Sequence, residues 1–153
     1  MTELKSLPIK FRTASDAIID GLIAGLISGL VMGFVILLGE LLLGDNPAEV
    51  LSWFVPAGAA TPMLGALVHL AMSAIYGIVF GWLWHLFRWR LRWKLPAWLV
   101  GLLYGLAIYF FAAWILLPGV DSALLTIPAW LFGLAHAIFG LLLGWLVGRK
   151  EIE

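Results

Sequence analysis

The chain has 153 residues, of which 63% are hydrophobic and 12% charged, and its nine Lys plus Arg balance nine Asp plus Glu. Soluble domains carry roughly a quarter charged residues, so this composition, with a mean hydropathy of +1.06, excludes an ordinary water-soluble globule. There is no cysteine, which excludes disulfides, thiolate metal sites and thiol nucleophiles and leaves the redox compartment unreadable.

Residues 1–15 alternate Lys5, Lys10 and Arg12 with Leu4, Leu7, Ile9 and Phe11. This pattern suits either a weak amphipathic arm on a membrane surface or a plain tail. The first apolar run, from about Ala17 to Leu43, exceeds the ~7–15-residue core of a cleaved signal peptide and lacks a small-residue cleavage site. It is expected to stay as a membrane anchor. Within it Gly21, Gly25, Gly29 and Gly33 recur every fourth residue. In a bilayer that spacing makes a smooth ridge on which a second helix can approach closely, because no Cβ intervenes.

Three more apolar runs follow, at about 62–87, 96–117 and 128–148, each near the roughly 20 residues needed to cross the hydrocarbon core. They open on Pro62, Pro96 and Pro128, a residue suited to a first helical turn, where an N–H has no partner to lose. The expected fold is all-α: a single polytopic membrane domain, a four-helix bundle packed through small residues.

Between spans one and two, Asp45-Asn46-Pro47-Ala48-Glu49 reads as a helix start, with Asp45 or Asn46 as cap and Pro47 in the first turn. Val50, Leu51, Trp53 and Phe54 would lay that short helix in the membrane interface. Residues Val120 to Pro128 repeat the idea in miniature.

Charge segregation predicts orientation. Lys5, Lys10 and Arg12 precede span one, Arg88, Arg90, Arg92 and Lys94 lie between spans two and three, and Arg149 and Lys150 follow span four. Those nine are every Lys and Arg in the chain. The connections on the other side hold Asp45, Glu49 and Asp121. By the positive-inside bias both termini are cytoplasmic in a multi-pass protein of the cell membrane. Trp82, Trp84, Trp89, Trp93, Trp98 and Trp145 then fall near the inner interface, and Trp53, Trp114 and Trp130 near the outer one, as aromatic belts do. The basic and aromatic stretch Arg88 to Lys94 accordingly reads as a headgroup anchor, not a nucleic-acid contact.

Spans two and four resemble each other. GIVFGWL from Gly77 matches GLLLGWL from Gly140, and each span has a histidine after its opening proline, His69 and His136. Steps of four then give His69, Ser73, Gly77, Gly81 and His136, Gly140, Gly144, Gly148, so each histidine shares a face with glycines. Two like-oriented hairpins imply a pseudo-two-fold axis along the membrane normal. Span three adds Gly101 and Gly105. These ridges predict close packing, with a partner either inside the chain or in another subunit.

The set His69, Tyr76-Gly77 and Gly81, then Gly101, Tyr104-Gly105 and Pro118-Gly119, then His136 and Gly140, resembles a family of small uncharacterised prokaryotic four-helix membrane proteins. The resemblance implies this architecture and carries no established activity.

Ionisable groups inside a span are functional candidates. Asp16 and Asp20 fit a capping role at a helix N-terminus. Glu40 lies about one turn below the outer end of its span and is expected either to snorkel to headgroups or to meet a histidine. His69 and His136 lie at similar depth, about 10–12 Å below the outer ends of their helices at 1.5 Å per residue. Three roles compete for them: hydrogen bonding between helices, axial ligation of a haem b, and proton or ligand handling with Glu40. His85, among Trp and Arg, reads as interfacial.

No phosphate-binding loop, Ser/His/Asp set or chain of intramembrane acids is present, which argues against an ATP-driven machine and a typical ion-coupled transporter. The expected function is a non-catalytic structural or accessory subunit without a cofactor, packing with other membrane subunits or with copies of itself in the lipid bilayer. The alternatives are a haem-binding electron-transfer subunit using His69 and His136, and a small transporter or channel.

Overall fold

A computed structural model describes residues 13–55, 61–88, 95–120 and 122–149. Residues 1–12 of the expected surface arm, Trp89 to Lys94 of the basic stretch, Asp121 and Lys150 lie outside the described residues, while residues 13–15 of that arm are the cap and first residues of a helix. The described residues form helices and short connections, with no strand among them. In chain order they are α1 (Ala14–Leu43), α2 (Pro47–Ser52), α3 (Pro62–Leu86), α4 (Ala97–Gly119) and α5 (Ala129–Arg149), with a 3₁₀ turn at Ala123–Thr126. α1, α3, α4 and α5 are the four helices long and apolar enough to cross a membrane.

Local chemistry fixes the ends. Thr13 caps α1 reciprocally: its hydroxyl accepts from the Asp16 N–H at 3.2 Å, and its own N–H donates to the Asp16 carboxylate at 2.9 Å. This capping box satisfies two N–H groups that the first turn otherwise leaves without partners. α1 stops at Gly44, whose φ of 103° is open to glycine and costly for other residues. Asn46 caps α2, accepting from the Ala48 N–H at 2.9 Å, and Thr61 caps α3 with Pro62 in the first turn. Pro96 and Pro128 each stand one residue earlier than expected, Pro96 as the cap of α4 and Pro128 just ahead of α5.

The long helices are apolar all round, so an amphipathic stripe cannot choose the packing face. Small residues choose it. α1 buries Gly21, Ala24, Gly25, Ser28 and Gly29 and turns Ile19, Leu30 and Phe34 outward. α1 and α3 form one antiparallel hairpin in which the ridges named above interleave. A Cβ on Gly25 would stand 2.8 Å from the Gly77 Cα, and one on Gly81 would stand 3.0 Å from the Gly21 Cα. Gly29 faces Ser73, and Gly33 faces the His69 ring. α4 and α5 repeat the arrangement: a Cβ on Gly105 would lie 2.9 Å from the Gly140 Cα, and one on Gly101 would lie 2.7 Å from the Gly144 Cα. The partner of each ridge is therefore the chain's own neighbouring helix.

The hairpins join unequally. α1 packs along α5, with Leu131 filling the space beside Gly39, whereas α3 and α4 touch only sparsely. A strict two-fold would make those two seams equivalent. One is closed and the other is parted.

Two expectations need correction, and the short helix α2 gains a packing partner. Trp84 is no belt residue: it is 3% exposed and stacks on Phe80 with the rings 7° from parallel. It lies on the face of α3 that the glycines draw into the bundle. α2 packs down on the bundle. Val50 is fully buried, and the Leu51 carbonyl comes so close to Gly65 that no side chain would fit there. Finally, α4 does not end before Pro118 but runs through it to Gly119, after a π turn at Ala112–Leu116. A proline inside a helix has no N–H to give and crowds the carbonyl four residues back; the wider π turn relieves that conflict at Trp114.

Candidate functional site

At the end of the bundle that carries α2 and the 3₁₀ turn, a cavity of about 600 Å³ opens in the parted seam between α3 and α4. Its walls are Val68, Met72 and Tyr76 of α3, Ile108, Ala112 and Leu116 of α4, and Phe132 and Phe139 of α5, with Met32 from α1. Trp53, Phe54 and Val55 cover it on one side, and Ser122 to Leu124 on the other. The π turn places Ala112, a small residue, where the cavity is bounded by α4. Below it the Tyr104 hydroxyl donates to the Tyr76 carbonyl at 2.9 Å, and Phe80 packs on the Tyr104 ring at 5.2 Å.

His69 and His136 both line this cavity. Each ring has one nitrogen tied to backbone. The Nε2–H of His69 donates to the Gly29 carbonyl of α1 at 2.9 Å, and the Nδ1–H of His136 donates to the Phe132 carbonyl, one turn earlier on α5, at 2.8 Å. A carbonyl only accepts, so the bonded nitrogen carries the hydrogen, and in a neutral imidazole the other nitrogen then offers a lone pair. His69 Nδ1 and His136 Nε2 have no hydrogen-bond partner among the described residues. Aromatic edges brace both rings: Phe54 against His69 at 4.7 Å, and Phe132 and Tyr109 against His136 at 4.4 and 5.9 Å. His69 thus ties α3 to α1 and His136 is held to its own helix, and each ring has an open acceptor on its other side.

The remaining sequence candidates fall elsewhere. Glu40 neither snorkels nor meets a histidine. It is 2% exposed, it is not part of the cavity wall, and its Oε1 has no hydrogen-bond partner. The helix turn that buries Ile36 also carries Glu40 inward, four residues on. Among the described residues no three His, Asp or Glu gather as a metal site. Haem b held through Nε2 of both histidines fits poorly, because the His69 Nε2–H is committed to Gly29, and among the described residues no Lys or Arg lines the cavity to meet propionates. Ser73, Tyr76 and the covering segment Trp53–Phe54 belong to the site without having been singled out for it. For Trp53 and Phe54 the usable signal was their place directly after a short capped helix that could fold over the bundle.

No family model matches the chain, and no match to it was found among curated proteins or solved structures. The functional reading therefore rests on the geometry.

Proposed function

We propose that this chain is a non-catalytic accessory protein of the cell membrane that holds an amphipathic small molecule between its two hairpins. Both termini lie in the cytoplasm, following the one-sided distribution of Lys and Arg, so the cavity sits in the outer half of the bilayer. One observation carries the reading: two histidines from different hairpins line one largely apolar cavity, and each keeps a ring nitrogen without a partner. A chamber of this size, apolar with a few convergent polar groups, has the character of small-molecule sites. The small-residue ridges give less support to association with other subunits than they did as bare sequence, since the chain's own helices fill them. A partner or a second copy would meet the bulkier outward faces of Leu30, Phe34 and Leu141.

Native mass spectrometry of protein extracted in a mild detergent tests the proposal. The wild-type chain retains a non-protein adduct, and Ala112→Trp, which fills the cavity from α4, loses it. A wild-type chain as bare as the variant refutes the reading.

A further inference from the structure

We propose that the ligand is a neutral, lipid-soluble molecule with a hydroxyl group on a flat ring, a phenol-type amphiphile of the chemical class that includes lipid quinols. This rests on the ligand-binding reading above and adds the chemistry of recognition. The polar groups decide the head group. The His69 edge that bears Nε2 and Cδ2 faces Gly33 of α1, so the edge with Nδ1 is turned away from that helix. His136 is 5% exposed, with its Nδ1 bonded along its own helix and its Nε2 left without a partner. In neutral rings these two nitrogens accept hydrogen bonds and do not donate. A ligand that only accepts, such as a ketone or an ester, would leave both lone pairs unmet; a hydroxyl meets one of them.

The walls decide the rest. Among the described residues no Lys, Arg, Asp or Glu lines the cavity, so against these walls a charged head group would be buried without a counter-ion, which is strongly unfavourable. Phe132, Phe139, Tyr76 and Phe54 surround the histidines and suit a flat ring packed by edges and faces. Met72 on α3 and Leu116 on α4 line the cavity and are each 38% exposed, so neither is closed in by the bundle. We place the ligand's tail at the open seam between them, with its head against the imidazoles.

The test compares 4-nonylphenol with its methyl ether, which has nearly the same shape and no donor, by titration into the full-length protein in detergent. The phenol binds about tenfold more tightly, the ratio expected when an unpaired acceptor in an apolar cavity gains a hydrogen bond. His136→Phe and His69→Phe together reduce that preference to near unity. His136→Gln, whose amide oxygen accepts, retains part of the preference and guards against misreading a folding defect. Equal binding of phenol and ether to the wild-type chain, with both excluded by Ala112→Trp, overturns the hydroxyl assignment and leaves the cavity reading standing. Failure of both to bind overturns the two together.

Discussion

Tyr104 of α4 donates its hydroxyl to the backbone carbonyl of Tyr76 on α3 at 2.9 Å, at the depth where the seam between the two helices starts to part. Toward the basic end the bond helps hold α3 and α4 together. Toward the acidic end the two helices diverge around the cavity. Tyr76 itself is part of the cavity wall, so the bond links the closed and the open parts of the seam.

Tyr104→Phe removes the donor while keeping the ring that packs on Phe80. The expected loss is about 0.5–1.5 kcal/mol, the net value of one such hydrogen bond, read as a lowered Tm in detergent. Ligand exchange through the seam speeds up in the same variant. An unchanged Tm would mean that the bond carries no net stability.

The ridges predict a sharp contrast among glycines. Gly77→Val places its Cβ against the backbone of Gly21 and Gly25, where no flexible side chain can yield. Gly140→Val does the same against Gly101 and Gly105. Overpacking of this kind costs about 1–3 kcal/mol or more, and both variants should lose helix pairing or expression. Gly119→Ala is the control, because a Cβ there meets nothing within 4 Å. Thermal melts of the three variants side by side check the ranking.

Glu40 gives a prediction of opposite sign. Its carboxyl is buried with Oε1 unpartnered, and an unmet buried polar group costs about 1–3 kcal/mol. Glu40→Met, similar in length and apolar, should therefore raise the Tm. A fall would show that the carboxyl holds the turn at Gly44 and Asp45 through interactions that matter more than its burial.

How much of this was readable beforehand differs by residue. The four spans were legible because a bilayer demands long apolar runs, and the capping signal at Asn46 is local chemistry. The interval of four among Gly21, Gly25 and Gly29 exposed the packing face, though not which helix would fill it: any small-residue ridge is a complementary surface for several others. The shared depth of His69 and His136 followed from counting residues, and the structure adds that both line one chamber. The cavity itself was not legible. It depends on the π turn at Ala112–Leu116, on Val50 drawing α2 over the bundle, and on the seam between α3 and α4 staying apart, which are properties of the assembled helices. Trp84 was misplaced for a related reason. A tryptophan near a span end usually marks the interface, but here the glycine face of α3 turned it inward.

The central claim is that an apolar molecule reaches the interior of the bundle between α3 and α4. Photolabelling with an apolar diazirine probe in membranes, followed by peptide mapping, tests it most directly. Phe139 is 2% exposed yet lines the cavity, and Leu143, one turn further along α5, is fully buried and does not. The account predicts label on Phe139 and His136, none on Leu143, and loss of the interior label in Ala112→Trp. Label confined to outward residues such as Leu30, Phe34 and Leu141 would contradict it.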